Sequence, residues 1–488
     1  MPDEQPVTSA AMARRDDLHG DVTRRRALQV GIGAAAGLTL AACSEDATSP
    51  RPSAASSTTA AAGRNKVVPP PVGMVRTSWS TDPWTLGSYS FLGVGATPAL
   101  RVALSRPVSD GVLLLAGEHA ATDSPSTVHG AAESGNAAAD RILDDVDGPE
   151  RVVVVGAGMA GATVARRLVD EGHDVVVVEG RDRVGGRLDT VQPAGWGFPV
   201  ERGANWVHDV GASSLREDLA ALGARTVPFD YSESVLGPDG KEVQPDTADA
   251  GPEAALADAL EWAEEQDADS SVSEALVQSG ATADPAELDR FLRSEIVTEY
   301  GADPGELSAW EGLGEGTEGN DLLVVGGYAA LVKDLLDGIP TELGWPVATV
   351  AHSADGVTVT ATDGRTVTGD RAVVTLPLGV LKSGAVRFDP PLPETHRDAV
   401  DGLSMGVLDK VWLRWDERWW GDHGEQWTRT APADDPYIEW YDLAGPTGQP
   451  VLLGLVGGTM ARAWAARTDD EVMAAALASL QAFKDAGW

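Results

Sequence analysis

One stretch of the chain limits its possible folds more than any other. Arg151-Val-Val-Val-Val155 is a nearly continuous apolar run, the pattern of a strand buried on both faces of a parallel sheet. Gly156-Ala-Gly158-Met159-Ala160-Gly161 follows at once, residues 163–171 have helical spacing with Gly172 as a stop, and a second apolar run, 174–178, ends in Glu179. In such a unit the first glycine makes a tight turn, the second lets the backbone approach a pyrophosphate, and the third lets helix and strand pack closely. The helix N-terminus offers unpaired N–H groups and a positive dipole end to phosphate oxygens. Glu179 is spaced to meet ribose hydroxyls. Strand, glycines, helix, strand and acid in series predict an α/β, Rossmann-like dinucleotide-binding fold. They do not choose between a nicotinamide and a flavin.

At 488 residues the chain is long enough for two domains with well-buried cores. Its 75 acidic and 37 basic residues give a net charge of −38, which argues against nucleic acid or an anionic membrane surface as partner. Such a charge attracts polycations such as polyamines, but a generally acidic composition tuned for solubility is the simpler account of it. Residues 1–43 read as an export signal. Thr23-Arg24-Arg25-Arg26 precedes an uncharged Gly/Ala-rich run, 27–42, which is shorter than a spanning helix and ends in Leu40-Ala41-Ala42-Cys43. Cys43 is the only cysteine, so the expectation is export by a twin-arginine route, a lipid anchor at Cys43 as the sole membrane contact, and no disulfide. Residues 44–65, rich in Ser, Thr, Ala and Pro, read as a flexible tether. No metal site is expected, because no His/Cys/Asp/Glu grouping has ligand spacing. No oligomeric state follows from the sequence.

Gly185-Gly186-Arg187, soon after Glu179, resembles the Gly-Gly-Arg turn of the flavin-containing amine oxidase superfamily, where backbone and guanidinium meet the cofactor phosphates. Glu201-Arg-Gly203-Ala204-Asn205-Trp206-Val-His208 resembles the loop beside the flavin ring, and Gly326-Gly327-Tyr328 and 373–381 resemble the return to the flavin domain and its exit. Ser404-Met-Gly-Val-Leu-Asp-Lys410 carries the family's lysine position, in a chain with only six lysines. The resemblance implies non-covalent FAD held by Gly156, Gly158, Met159, Ala160, Gly161, Glu179, Gly180, Arg181, Gly186, Arg187, Gly203, Ala204, Asn205, Trp206 and the backbone of Val347. It also implies that Lys410 holds a water against the flavin, with a pKa lowered by burial.

The remaining family pieces lie upstream. Leu113-Leu-Leu-Ala-Gly117-Glu118 resembles the second cofactor contact, and Thr127-Val128-His-Gly opens a helix whose dipole can face the flavin. Trp79, Tyr89 and Thr127 match site-lining positions, and His208 a substrate-contacting or supporting one. In the family these upstream segments come last, so the order resembles a circular permutation with the ends near Lys66 and Trp488 close together. The implied domains are a cofactor domain, 66–225 and 321–384, and an α+β substrate domain with a mixed sheet, 226–320 and 385–488. Within the first lie a displaced piece, 66–143, a linker, 144–150, and the dinucleotide unit, 151–225.

Thr127 beside Trp79 and Tyr89 looks more like polyamine oxidases and lysine-specific demethylases than monoamine oxidases. The implied reaction is hydride transfer from an amine to flavin N5, hydrolysis of the imine to an aldehyde, and reduction of O2 to H2O2. One alternative is an L-amino-acid oxidase of the same superfamily, with Arg293 or Arg414 as carboxylate clamp. The other is an exported flavoprotein without turnover.

Overall fold

The computed structural model describes residues 66–208, 211, 213–314 and 320–488. The predicted export signal, Cys43 and tether lie outside these residues.

The valine runs form a five-stranded parallel sheet in the order Thr341–Glu342, Asp174–Val178, Arg151–Val155, Arg371–Val374 and Leu113–Leu115. Val152, Val153, Val154 and Val155 are each at most 1% exposed. β-Branched side chains suit a pleated surface covered on both sides, and burying each contributes about 1.5–3 kcal/mol. The glycine-turn helix spans Met159–Asp170 and begins four residues earlier than its spacing predicted. Gly158 is its N-cap, so the glycine turn itself is the first helical turn. Gly161 lowers the local helix propensity and hides that start in the sequence.

The helix Val128–Asp145 lies against this one, and a Cβ at Gly135 would come within 2.6 Å of the Ala160 carbonyl oxygen. The upstream piece thus packs against the glycine turn and also supplies an edge strand of its sheet. Arg371 pins the connection between them, pairing with Asp145 at 2.8 Å and Glu150 at 2.6 Å.

The second layer is a seven-stranded mixed sheet, in the order Gly73–Arg76, Leu408–Arg414, Val451–Gly457, Glu439–Asp442, Gln426–Arg429, Glu233–Leu236 and Glu242–Val243. The piece 66–143, assigned from sequence to the cofactor domain, is therefore divided. Gly73–Arg76 pairs with Leu408–Arg414, whereas Leu113–Leu115 pairs with Arg371–Val374. Trp412, Trp415 and Trp420 are buried in the cores on this sheet. Val68 shares one of these cores with Trp488, and the Gln481 side chain bonds both the Val68 N–H and the Lys66 carbonyl oxygen. The two ends of the described chain are neighbours. Among the described residues no helix is long and apolar enough to cross a membrane.

Candidate active site

A cavity of about 1570 Å³ runs between the two sheets, larger than the ~300–1,000 Å³ typical of a single small-molecule pocket. One end is built from glycines. Gly156 takes φ +108, and a Cβ there would sit 2.5 Å from Thr375 Oγ1. At Gly161 a Cβ would meet the Gly156 carbonyl oxygen at 2.0 Å. Gly158 has no neighbour within 4 Å of its Cβ position, so the helix N-terminus with Met159 and Ala160 faces open cavity. Glu179 accepts the Ala157 N–H on Oε2 and the Arg181 N–H on Oε1, both at 2.8 Å, which fixes its carboxylate while each oxygen keeps a lone pair. Trp84 packs against Gly180, and Arg181 is held by Asp82 at 2.9 Å. Gly117, Val128 and Val347 also line this end.

Arg187 and Glu118, expected as separate cofactor contacts, hold each other at 2.8 Å, and Arg187 also donates to the Ser88 carbonyl oxygen. Burial alone would raise the Glu118 pKa. Arg187 beside it, then His119, Ser90 and Arg101, outweigh that and bring it down to about 2. Thr127 reaches the wall, but its hydroxyl accepts the Gly130 N–H and donates to the Ser124 carbonyl oxygen. Thr127 therefore reaches the cavity wall where the resemblance placed it, with its hydroxyl engaged as a helix N-cap.

At mid-cavity Lys410 is buried on the strand Leu408–Arg414. Its Nζ donates to the Gly203 carbonyl oxygen at 2.6 Å and to Asn205 Oδ1 at 3.2 Å, and lies 5.3 Å from the Trp206 ring centre. Gly203 is required, since a Cβ there would lie 1.6 Å from the Arg187 carbonyl oxygen. Burial pulls the Lys410 pKa down to about 7, against the opposing charge of Glu201. A lysine poised there can hold or release a proton at neutral pH. Ala204, Trp79 and Tyr89 line the same region. The Trp79 N–H is fixed by Asp409 at 2.9 Å, and the Tyr89 hydroxyl donates to the Thr298 carbonyl oxygen. His208 also faces the cavity, with Nδ1 2.8 Å from Asp321 Oδ2, an oxygen that the Tyr231 hydroxyl also bonds.

The far end is acidic, and the sequence reading missed it. Glu233, Glu295, Glu299, Asp321 and Glu439 all line it. Glu439 is 1% exposed, and its Oε1 accepts the Tyr441 hydroxyl at 2.5 Å and Gln426 Nε2 at 2.9 Å. Among the described residues Oε2 has no hydrogen-bond partner. Burial, then Glu295 and Glu233, push the Glu439 pKa up to about 8, against the lowering effect of the Tyr441 and Thr298 hydroxyls. The signal available in sequence was a carboxylate inside an otherwise apolar run, Tyr437-Ile-Glu439-Trp-Tyr441. Arg293 and Arg414, the candidate carboxylate clamps, do not line the cavity. Arg293 bonds Asp289 and the carbonyl oxygens of Pro432 and Asp435, and Arg414 lies 3.7 Å from Asp416.

A glycine cradle for a dinucleotide, a buried lysine at mid-cavity and an aromatic wall define a flavin-dependent oxidoreductase. The chain belongs to the flavin containing amine oxidoreductase family, whose profile matches residues 59–143 and 159–486. It is an oxidoreductase that uses FAD to oxidise amines. It is 30% identical over 354 residues to polyamine oxidase 2 of Arabidopsis thaliana, covering 68% of this chain and 71% of that one. It is 29% identical to lysine-specific histone demethylase 1 homolog 3 of Oryza sativa subsp. indica, covering 64% and 41%. A putrescine oxidase solved with putrescine bound shares the fold, with a TM-score of 0.55 at 22% identity and coverage of 70% and 83%. So does cyclohexylamine oxidase from Brevibacterium oxydans, at 0.53 and 24%, covering 69% and 82%.

Proposed function

We propose that this amine oxidase acts on a diamine or polyamine, with the reacting nitrogen near Lys410 and a second ammonium against Glu439. The single observation that carries this reading is Glu439 Oε2, a buried carboxylate oxygen in the cavity wall without a donor. A ligand ammonium would bring both the positive charge that holds Glu439 ionised and the donor that its Oε2 lacks. FAD, when bound, accepts the hydride and passes electrons to O2. Trp79 and Tyr89 exclude water around the reacting carbon. Lys410, with its pKa brought to about 7, exchanges a proton at Nζ without holding a full positive charge against the amine.

The test is anaerobic mixing of the purified flavoprotein with putrescine, spermidine, tyramine and L-amino acids, read by flavin absorbance. Bleaching at much lower concentrations of putrescine or spermidine than of tyramine supports the reading. Equal sensitivity to tyramine removes the second-ammonium site, and bleaching by amino acids alone removes amine oxidation as the activity.

We also propose that the chain is a circular permutant of its family. In support, the family profile matches in two segments, Arg371 pins the 144–150 connection, and Lys66 and Val68 bond Gln481 near Trp488. The twin-arginine pattern and Cys43 support export with a lipid anchor. Metabolic labelling with a radioactive fatty acid, lost in a Cys43→Ser variant, would be the expected result, and unlabelled wild-type protein would remove the anchor.

A further inference from the structure

We propose that Arg290, which lies outside the cavity wall, is a positioning residue for amine selectivity. It ties the helical segment carrying Glu295 to the strands carrying Glu233 and Glu439, and so sets where a second ammonium sits. This rests on the diamine reading above.

Arg290 ends the helix Pro285–Phe291 with a side chain that is 0% exposed. Its guanidinium reaches three other elements. One nitrogen pairs with Asp249 on the helix Pro245–Glu264. The other donates to Thr428 Oγ1 at 3.2 Å and lies 3.6 Å from Glu233 Oε1. The Thr428 hydroxyl donates to that same Glu233 oxygen at 2.7 Å. Glu233 is the register partner of Gln426, whose side-chain amide holds Glu439 Oε1. Arg290 therefore touches Glu233, an acid of the cavity wall, and Thr428, which shares a strand with the Gln426 that holds the carboxylate with the unpartnered oxygen.

Immediately after Arg290 and Phe291 the backbone widens into a π-helical turn, Leu292–Val297, followed by Thr298–Tyr300. π Turns often occur at functional sites, where the extra residue re-aims the side chains that follow. Here Ser294, Glu295, Thr298 and Glu299 all reach the cavity. The guanidinium is thus shared between Asp249 and Glu233, and Glu233 in turn lines the cavity with Glu295 and Glu439. A lysine could not reproduce the arrangement, because a single ammonium lacks the fork that bridges three elements.

The experiment uses the holoenzyme and compares putrescine with n-butylamine, which has the same carbon chain and no second nitrogen. Removing Arg290 alone would break a buried ion pair and leave Asp249 without its guanidinium, so the variant is the pair Arg290→Met with Asp249→Asn. The expected result is a KM for putrescine raised about tenfold, the loss of one well-placed charged contact, with kcat and the n-butylamine KM within about twofold of wild type. A merely structural role would move both amines together. If the pair does not yield folded flavoprotein, Arg290→Lys decides, with a smaller loss confined to putrescine. An unchanged putrescine-to-butylamine preference in a folded variant overturns the role of Arg290. Wild-type enzyme that does not prefer putrescine overturns the diamine reading itself.

Discussion

Two ends of one cavity each bury a glutamate, and they treat it in opposite ways. At the cofactor end Glu118 lies 2.8 Å from Arg187, and its carboxyl stays ionised, with a pKa of about 2. At the other end Glu439 has a tyrosine, a threonine, a glutamine and two further carboxylates for company, and its pKa rises to about 8. Both are buried, so burial alone does not set the charge. The presence of a guanidinium does. The cofactor end pairs its buried acid with a guanidinium of the protein, whereas on the proposed diamine reading the other end takes its cation from the substrate.

The largest effect that would sharpen this contrast is at the cofactor end. A Gly161→Val side chain would drive into the Gly156 carbonyl oxygen, 2.0 Å from the Cβ position. The expected outcome is protein that purifies without the yellow flavin absorbance, and normal flavin content would refute the assigned turn geometry. Next comes the lysine between the two ends. Lys410→Met should slow turnover by about 10²–10⁴-fold, the usual contribution of a positioned proton-transfer group. Stopped-flow traces of flavin reduction and reoxidation would show which half-reaction carries the loss. Wild-type rates in both would remove Lys410 from the chemistry.

Glu439→Gln tests the amine end directly. The putrescine KM should rise about 10–100-fold while the n-butylamine KM holds, because only the diamine loses a charge-assisted contact. In the wild type the diamine KM should climb as pH falls below about 8, where Glu439 takes up its proton, and the variant should lack that limb. Stability gives an independent check. The folded pKa lies above the ordinary carboxylate value, so the folded state binds the proton more tightly than the unfolded state. The stabilising effect of the neutral form is therefore complete below the unfolded pKa and is lost as pH rises through about 8. Glu439→Gln should then raise the melting temperature at pH 9 by several degrees relative to its effect at pH 5, reflecting on the order of 3 kcal/mol. A gain that does not depend on pH would mean that Glu439 is paired after all.

The same contrast explains what could be read from sequence. Gly156, Gly158 and Gly161 act through backbone geometry within six residues, so their spacing carries the information. Lys410 was legible because the segment around it resembles a known family, and its contacts with Gly203 and Asn205, 207 and 205 residues away, appear only after folding. Glu233, Glu295, Asp321 and Glu439 come from separate elements, and each alone looks like one more acid in a chain with 75 of them. Thr127 was legible only in part, for a related reason. Its place at the cavity wall came from resemblance, but Thr-Val-His-Gly at a helix start is also the local pattern of an N-cap, and the local interaction uses the hydroxyl.

The smallest expected effect comes from rewiring the cofactor end without changing its contacts. Its sheet takes Leu113–Leu115 from upstream of the glycine turn, and Gly135 packs on Ala160 across the 144–150 connection. If these contacts rather than chain order build the site, a chain opened between Asp147 and Gly148 and closed from Trp488 to Lys66 should fold alike. Lys66 and Val68 already bond Gln481, one helical turn or so before the helix ends at Asp485. A Gly/Ser joint of about eight residues has a root-mean-square span of ~15 Å, enough for such a gap. Doubling a loop costs only about 0.6 kcal/mol, so the rearranged enzyme should lose little stability. Its flavin spectrum and putrescine kcat/KM should stay within about threefold of the parent. Loss of flavin binding, with the amine-end core still folded by tryptophan fluorescence, would show that the 144–150 joint organises the cofactor end itself.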